Sequence, residues 1–340
     1  MSSSPLILSS GDPALDRRLD WARALLDEGN AADAAELMAE AVTRAPGFVS
    51  GWFVLAEARE AMGERDAAAQ AYGAALTLDP KDRLGAGPRR ARLAGEGTGL
   101  SAAYVRTLFD QYAGRFDAAL ARLDYRGPEL IRAALEDACA ALGRPFRFAH
   151  GLDLGCGTGL VGMALAPRVE RLDGVDLAPN MIELARARGL YRELAAADLV
   201  GWLQERPEAG ADLVVAGDVF CYLGDLAPVF MAARRAIGAT APTAPIVHLT
   251  APTGHSHRSS GLLAFTVETH DGAGVILRDT LRVAHGEAYV REQLFAAGFD
   301  LVSCRPAATR TEKGAPVPGL VVVARPLGAK AIAGGAVKAE

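Results

Sequence analysis

The stretch GLDLGCGTGLVG, residues 151–162, restricts the fold of this chain more than any other. Gly155, Gly157 and Gly159 stand at every second position between two apolar runs. The run FRFAHGLDL before them reads as a strand, and Val161 to Leu165 begins a helical pattern. The glycines therefore occupy a strand-to-helix turn. Glycine adopts positive φ without a Cβ penalty and lets a ligand approach the backbone. The first amides of the following helix have no partner within it and face whatever binds there.

G-x-G-x-x-G, a dinucleotide fingerprint, can be read from Gly157 to Gly162. Asp153 stands two residues before the first glycine and argues against a diphosphate. A carboxylate there repels phosphate and suits a cationic amino group. Further acids follow at strand ends. Asp176 closes the next apolar segment, about twenty residues past the glycines, where a carboxylate can accept both ribose hydroxyls. Asp173 competes for that role from mid-strand. Pro179 and Asn180 open a helix with Met181 and Ile182 on its inner face. Asp198 follows a third short strand, where it can meet a ligand, cap the helix at Val200 to Gln204, or do both. A fourth strand, Asp212 to Ala216, ends at Gly217, Asp218 and Val219, the edge where open α/β sheets bind ligands. Asp218, Tyr222 and Asp225 are candidates there, with Asp225 alternatively starting the next helix.

The segment LDLGCGTGL resembles the first motif of class I S-adenosylmethionine-dependent methyltransferases, and the likeness runs from about Tyr104 to Arg325. It implies an α/β, Rossmann-like sheet of seven strands whose last pair forms an antiparallel edge hairpin. It implies S-adenosyl-L-methionine as cofactor. By that likeness Asp153 bonds the amino group of the methionine part, directly or through water, and Gly155, Cys156, Gly157 and Gly159 pass beneath that part. Asp176 holds the ribose, Leu177 and Met181 stand with the adenosine, Asp198 and Leu199 meet the adenine, and Asp218 adds a cofactor contact. In related small-molecule enzymes, leading helices close over the site. This makes YVRTLFDQYAGRFDAAL, Tyr104 to Leu120, a lid candidate, with Tyr104, Arg115 and Tyr222 as substrate contacts and Tyr112 in the catalytic set. His285, just before a helix at Glu287, is the candidate base; an amine or alcohol acceptor must lose a proton. Capping or surface exposure is the plainer role for it.

The N-terminal third repeats. Gly29 and Gly63 are 34 residues apart, as are Pro46 and Pro80. This period, with Trp52, Leu55, Ala56, Ala68, Tyr72, Ala75 and Pro80, resembles the tetratricopeptide family. The expected organisation is a small all-α repeat domain over 12–93, a linker over 94–101, a methyltransferase domain over 102–327 and a disordered tail over 328–340. The whole resembles a bacterial group of methyltransferases with N-terminal repeats.

The chain departs from that pattern at Gly238 to Ser260, read as an insertion or loop. Gly261 to Thr269 then reads as the fifth strand, with Ile246 to Leu249 as its rival. His248, His255 and His257 in the insertion lack the cysteines and spacing of a zinc site, so no metal is expected.

A net charge of -5 offers no basic face for nucleic acid, and Gly217-Asp218-Val219-Phe220 replaces the N/D-P-P-Y/F motif of nucleic-acid methyltransferases. The four cysteines form no C-x-x-C pair, and no apolar run is long enough for a membrane span. No signal peptide is read at the start, so a cytoplasmic protein is expected. The expected function is methyl transfer to an oxygen or nitrogen of a small-molecule acceptor. The alternatives are a protein methyltransferase whose repeats recruit the target, and a cofactor-binding assembly protein of low activity. The repeats would serve a protein partner or self-association.

Overall fold

The computed structural model describes residues 8–95, 99–238, 261–312 and 314–328. The three histidines of the insertion and nearly all of the expected tail lie outside them. Two compact units emerge, one reaching to Tyr112 and including Leu277–Arg282, the other formed by Ala113–Ile276 and the chain from Val283.

The first unit is helical: α1 (Pro13–Asp27), α2 (Ala31–Arg44), α3 (Val49–Ala61), α4 (Arg65–Leu78), α5 (Ala86–Ala94) and α6 (Ala102–Tyr112). Asp12 starts α1 by accepting the Ala14 amide, with Pro13 in the first turn. Gly29 and Gly63, both at positive φ, end α1 and α3 at the same point of the repeat. Buried Ala34, Ala41, Ala56, Ala68, Ala71 and Ala75 let successive helices approach closely, and Phe53 meets Tyr72 edge to face at 5.5 Å.

The division falls later than the expected linker, because α6 clusters with the repeats. Ser101 accepts the Tyr104 amide and donates to the Asp82 carbonyl. The Tyr104 ring lies where a Cβ on Gly85 would come within 2.9 Å of it. Arg92, on α5, pairs with Glu60 and with Asp279 of the Leu277–Arg282 segment.

The second unit runs α7 (Phe116–Arg122), α8 (Gly127–Ala141), β1 (Phe148–Leu154), α9 (Leu160–Leu165), β2 (Val169–Asp176), α10 (Pro179–Ala187), β3 (Glu193–Ala196), α11 (Leu199–Gln204), β4 (Leu213–Ala216) and α12 (Ala227–Ile237). It continues with β5 (Leu262–His270), β6 (Val275–Leu277), β7 (Val283–Gly286), α13 (Glu287–Ala296), β8 (Phe299–Pro306), β9 (Thr311–Glu312), β10 (Ala315–Pro316) and β11 (Gly319–Pro326). The main sheet has the order β3-β2-β1-β4-β5-β11-β8. Its first five strands are parallel, and β11 is antiparallel to both β5 and β8. Strand order reverses between β1 and β4, and ligands of open α/β sheets bind at that point. Every residue of β4 is buried, as expected for a strand covered on both faces.

The seven strands of the main path match the expected sheet. Two more join it: β7 lies parallel to the end of β5, and β6 pairs with β7. Strands of three and four residues are too short to show a period in the sequence. Among the described residues, no helix is long and apolar enough to cross a membrane.

Candidate cofactor site

The turn after β1 carries Gly155, Gly157 and Gly159 at φ of 59, 54 and 92°. They differ in surroundings. A Cβ on Gly155 would lie 2.4 Å from Val219 Cγ2, so the protein's own packing requires that glycine. A Cβ on Gly157 would meet only Phe116 Cε1, at 3.8 Å, which leaves backbone open to a ligand. Asp176, at the end of β2, accepts the Gly157 amide through Oδ2 and the Ala178 amide through Oδ1, each at 2.9 Å. One carboxylate thus ties the glycine turn to the head of α10. Asp173 is buried and bonded to His150 Nε2 at 2.7 Å, away from that end of the strand.

Asp153 is wholly buried beneath the turn. Its Oδ2 accepts the Tyr191 hydroxyl at 2.7 Å, and its Oδ1 has no hydrogen-bond partner. Burial pushes its carboxyl up to about 7, with the charge of Asp176 adding to the rise and the Tyr191 hydroxyl and Gly162 amide opposing it. Burial also pushes the Cys156 thiol well up, helped by Asp153 and Asp176.

Tyr191 escaped the sequence reading, as did a latch around the turn. Thr158 donates to Asp117 Oδ1 of α7 at 2.6 Å, and Arg188 bonds both Asp117 and the Thr158 carbonyl. Three glycines make room for Tyr191 in the fold. Cβ atoms on Gly159, Gly162 and Gly174 would all crowd its ring, at 3.2, 2.3 and 2.9 Å.

Leu177 is half-buried, and Met181 is wholly buried in α10. Asp198 is exposed and caps α11 by accepting the Gly201 amide at 2.9 Å, with Leu199 buried behind it. Asp225 accepts the Ala227 amide at 2.9 Å and so starts α12.

Asp218 sits at φ 54°, a strained value for a residue with a side chain. Its Oδ1 accepts the Thr266 hydroxyl and its Oδ2 the Thr309 hydroxyl. Arg310 lies behind it, paired with Glu268 at 2.6 Å and Glu312 at 2.8 Å. The expected cofactor acid is therefore tied into a buried charge network. Thr266 and Glu268, polar and buried within the apolar β5, were the available signal.

His285 is wholly buried in β7. Its Nε2 donates to the Leu223 carbonyl at 2.9 Å, which leaves Nδ1 as an acceptor without a partner. Burial pulls its pKa down to about 4, so the ring is neutral. It stacks on Tyr289, whose hydroxyl accepts the Leu226 amide at 3.1 Å. His285 thus braces the segment after β4 from inside and is closed to solvent, unlike the surface histidine that was the plainer expectation.

The expected substrate and lid residues fall in both units. Tyr104 is buried inside the first unit, and Tyr112 ends α6 in that same unit, half-buried. Arg115 is exposed at a 3-10 turn that packs beside α10, and Tyr222 is half-buried at the turn Phe220–Tyr222. Among the described residues, no group of three or more His, Cys, Asp or Glu is placed to hold a metal.

Residues 152–241 match the family model of a methyltransferase domain, and residues 25–87 match that of a tetratricopeptide repeat. Human methyltransferase-like protein 27 is 40% identical over 108 residues, 32% of this chain and 43% of that protein. The trans-aconitate 2-methyltransferase of Rhizobium rhizogenes is 36% identical over 86 residues, 25% of this chain and 32% of that enzyme. The chain thus spans less than half the length of these curated relatives. A solved Burkholderia thailandensis 1,6-didemethyltoxoflavin-N1-methyltransferase superposes with a TM-score of 0.47 at 20% identity, covering 66% of this chain and 88% of that one.

Proposed function

We propose that this chain, a class I methyltransferase domain behind a tetratricopeptide array, binds S-adenosylmethionine and methylates an oxygen or nitrogen of a small-molecule acceptor. The observation that carries the reading is the Asp176 carboxylate at the end of β2, bound to the Gly157 amide of the turn after β1, the strand that borders the reversal of sheet order. The residues fit the cofactor. The open backbone at Gly157 admits its methionine part, and Asp153 keeps a buried oxygen without a partner beneath that path. Asp176, at the end of β2, is the carboxylate placed to accept the ribose hydroxyls. Leu177, Asp198 and Leu199 follow along the ends of β2 and β3, where the adenine would lie.

The bound cofactor supplies a sulfonium methyl; the acceptor's lone pair forms the new bond to carbon as the carbon–sulfur bond breaks, leaving a thioether. The chain's own residues must align that attack and exclude water. Asp218 and the braced loop after β4 shape the acceptor side of the site. His285 supports that loop through its bond to the Leu223 carbonyl. The name of the Rhizobium enzyme, a methyltransferase of a small organic acid, supports a small acceptor.

The test supplies cofactor carrying a labelled methyl group to the protein with a cell extract split by size. Label is expected in the low-mass fraction. Label in polypeptide alone would favour the protein-methylating reading, in which the repeats recruit the target.

A further inference from the structure

Tyr191 is joined to the glycine turn in two ways. Its ring fills the space that three glycines leave open: a Cβ on Gly162 would lie 2.3 Å from its hydroxyl oxygen, and those on Gly174 and Gly159 would lie 2.9 and 3.2 Å from the ring. Its hydroxyl bonds Asp153 Oδ2 at 2.7 Å, while Asp153 Oδ1 has no hydrogen-bond partner. Asp153 is wholly buried, so what holds it also decides whether it can carry charge beneath the ligand.

We infer that Tyr191 is a positioning residue that orients the Asp153 carboxylate and favours its charged form, and so sets affinity for a ligand with a cationic amino end. The inference rests on the cofactor reading above.

The electrostatics run in one direction. Burial and the Asp176 charge favour the neutral acid, and the Tyr191 hydroxyl and the Gly162 amide favour the carboxylate. Cys156 also faces this pair; burial pushes its thiol well up, which leaves it neutral. Arg188 lies on the Tyr191 side and favours the phenolate, but burial and Asp153 outweigh it, so Tyr191 stays protonated and donates. Without that donor the carboxyl takes up its proton at a higher pH.

The experiment titrates wild type, Tyr191→Phe and Asp153→Asn with S-adenosylhomocysteine by calorimetry from pH 5.5 to 9. Phenylalanine keeps the ring that fills the glycine space. Wild-type affinity is expected to fall on the acid side with a midpoint near 7. Tyr191→Phe should move that midpoint up by about one pH unit, an affinity loss of about fivefold at pH 7 that approaches tenfold on the acid side and recovers at alkaline pH. Asp153→Asn should bind weakly with no acid limb. Carboxyl carbon NMR of Asp153 in the ligand-free proteins should show the same displacement between wild type and Tyr191→Phe. Superposable curves for wild type and Tyr191→Phe would overturn the inference and leave the cofactor reading intact. A uniform, pH-independent loss in Tyr191→Phe would overturn it in favour of packing alone. Failure of folded wild type to bind at any pH would overturn both.

Discussion

A methyl group on Gly155 would meet Val219 at 2.4 Å, and one on Gly157 would meet nothing nearer than Phe116 at 3.8 Å. Both residues hold positive φ, so each alanine variant strains the backbone, but only Gly155→Ala also forces a clash. Gly155→Ala should cost roughly 2–4 kcal/mol and Gly157→Ala about 1 kcal/mol. Urea midpoints should rank the three proteins accordingly; equal midpoints for the two variants would contradict the packing argument. Gly157→Ala should instead lose cofactor affinity, because its methyl group intrudes on the open face.

Asp153 makes a prediction of opposite sign for stability and binding. Its carboxyl is pushed up from 3.8 to about 7, so between those values the native protein holds a proton that the unfolded chain has released. Its contribution therefore falls as pH rises through that window. Relative to wild type, ligand-free Asp153→Asn should gain nothing below about pH 4 and on the order of 1–4 kcal/mol above about pH 7. Chemical denaturation across that range checks it, and a pH-independent difference would contradict the buried charge. Asp153 and the three glycines were legible because a two-residue spacing in a turn is a local signal, and Asp176 because it closes an apolar segment about twenty residues later. The sequence did not mark Tyr191 as the partner of Asp153, 38 residues away, since only the folded sheet brings them together.

Among the elements, α7 is held against the glycine turn by Asp117, through Thr158 and Arg188. Asp117 is half exposed, which limits what its ion pair contributes to global stability. Asp117→Ala should speed amide exchange over Phe116–Arg122 while lowering global stability by less than about 1 kcal/mol. Unchanged exchange there would show that other contacts hold the helix. The β1–turn–α9 unit, β2, β5 and the final β8/β11 pair were legible because each is long enough to show its period. The β6–β7 addition was too short for that, and its burial of His285 was hidden with it. The linker composition before Ala102 and the likeness to lid helices place α6 with the second domain. Tyr104 instead serves the repeats, and spacing alone does not say which neighbour a ring packs on.

At the scale of the whole molecule, the 34-residue period lies in the stretch 25–87 that matches a tetratricopeptide model, and the glycine turn in the stretch 152–241 that matches a methyltransferase-domain model. The compact division at Tyr112 depends on tertiary packing, including the recruitment of Leu277–Arg282 to the first unit from far along the chain. The proposed cofactor reading has the second unit hold S-adenosylmethionine across Gly157 and Asp176. The decisive measurement is calorimetric titration of the purified full chain with S-adenosylmethionine, beside Asp176→Ala. Saturable one-to-one binding is expected for wild type and at least about tenfold weaker binding for a folded Asp176→Ala, which loses its charge-assisted bonds. A folded wild type that binds nothing, or an Asp176→Ala variant that binds as wild type does, would contradict that reading.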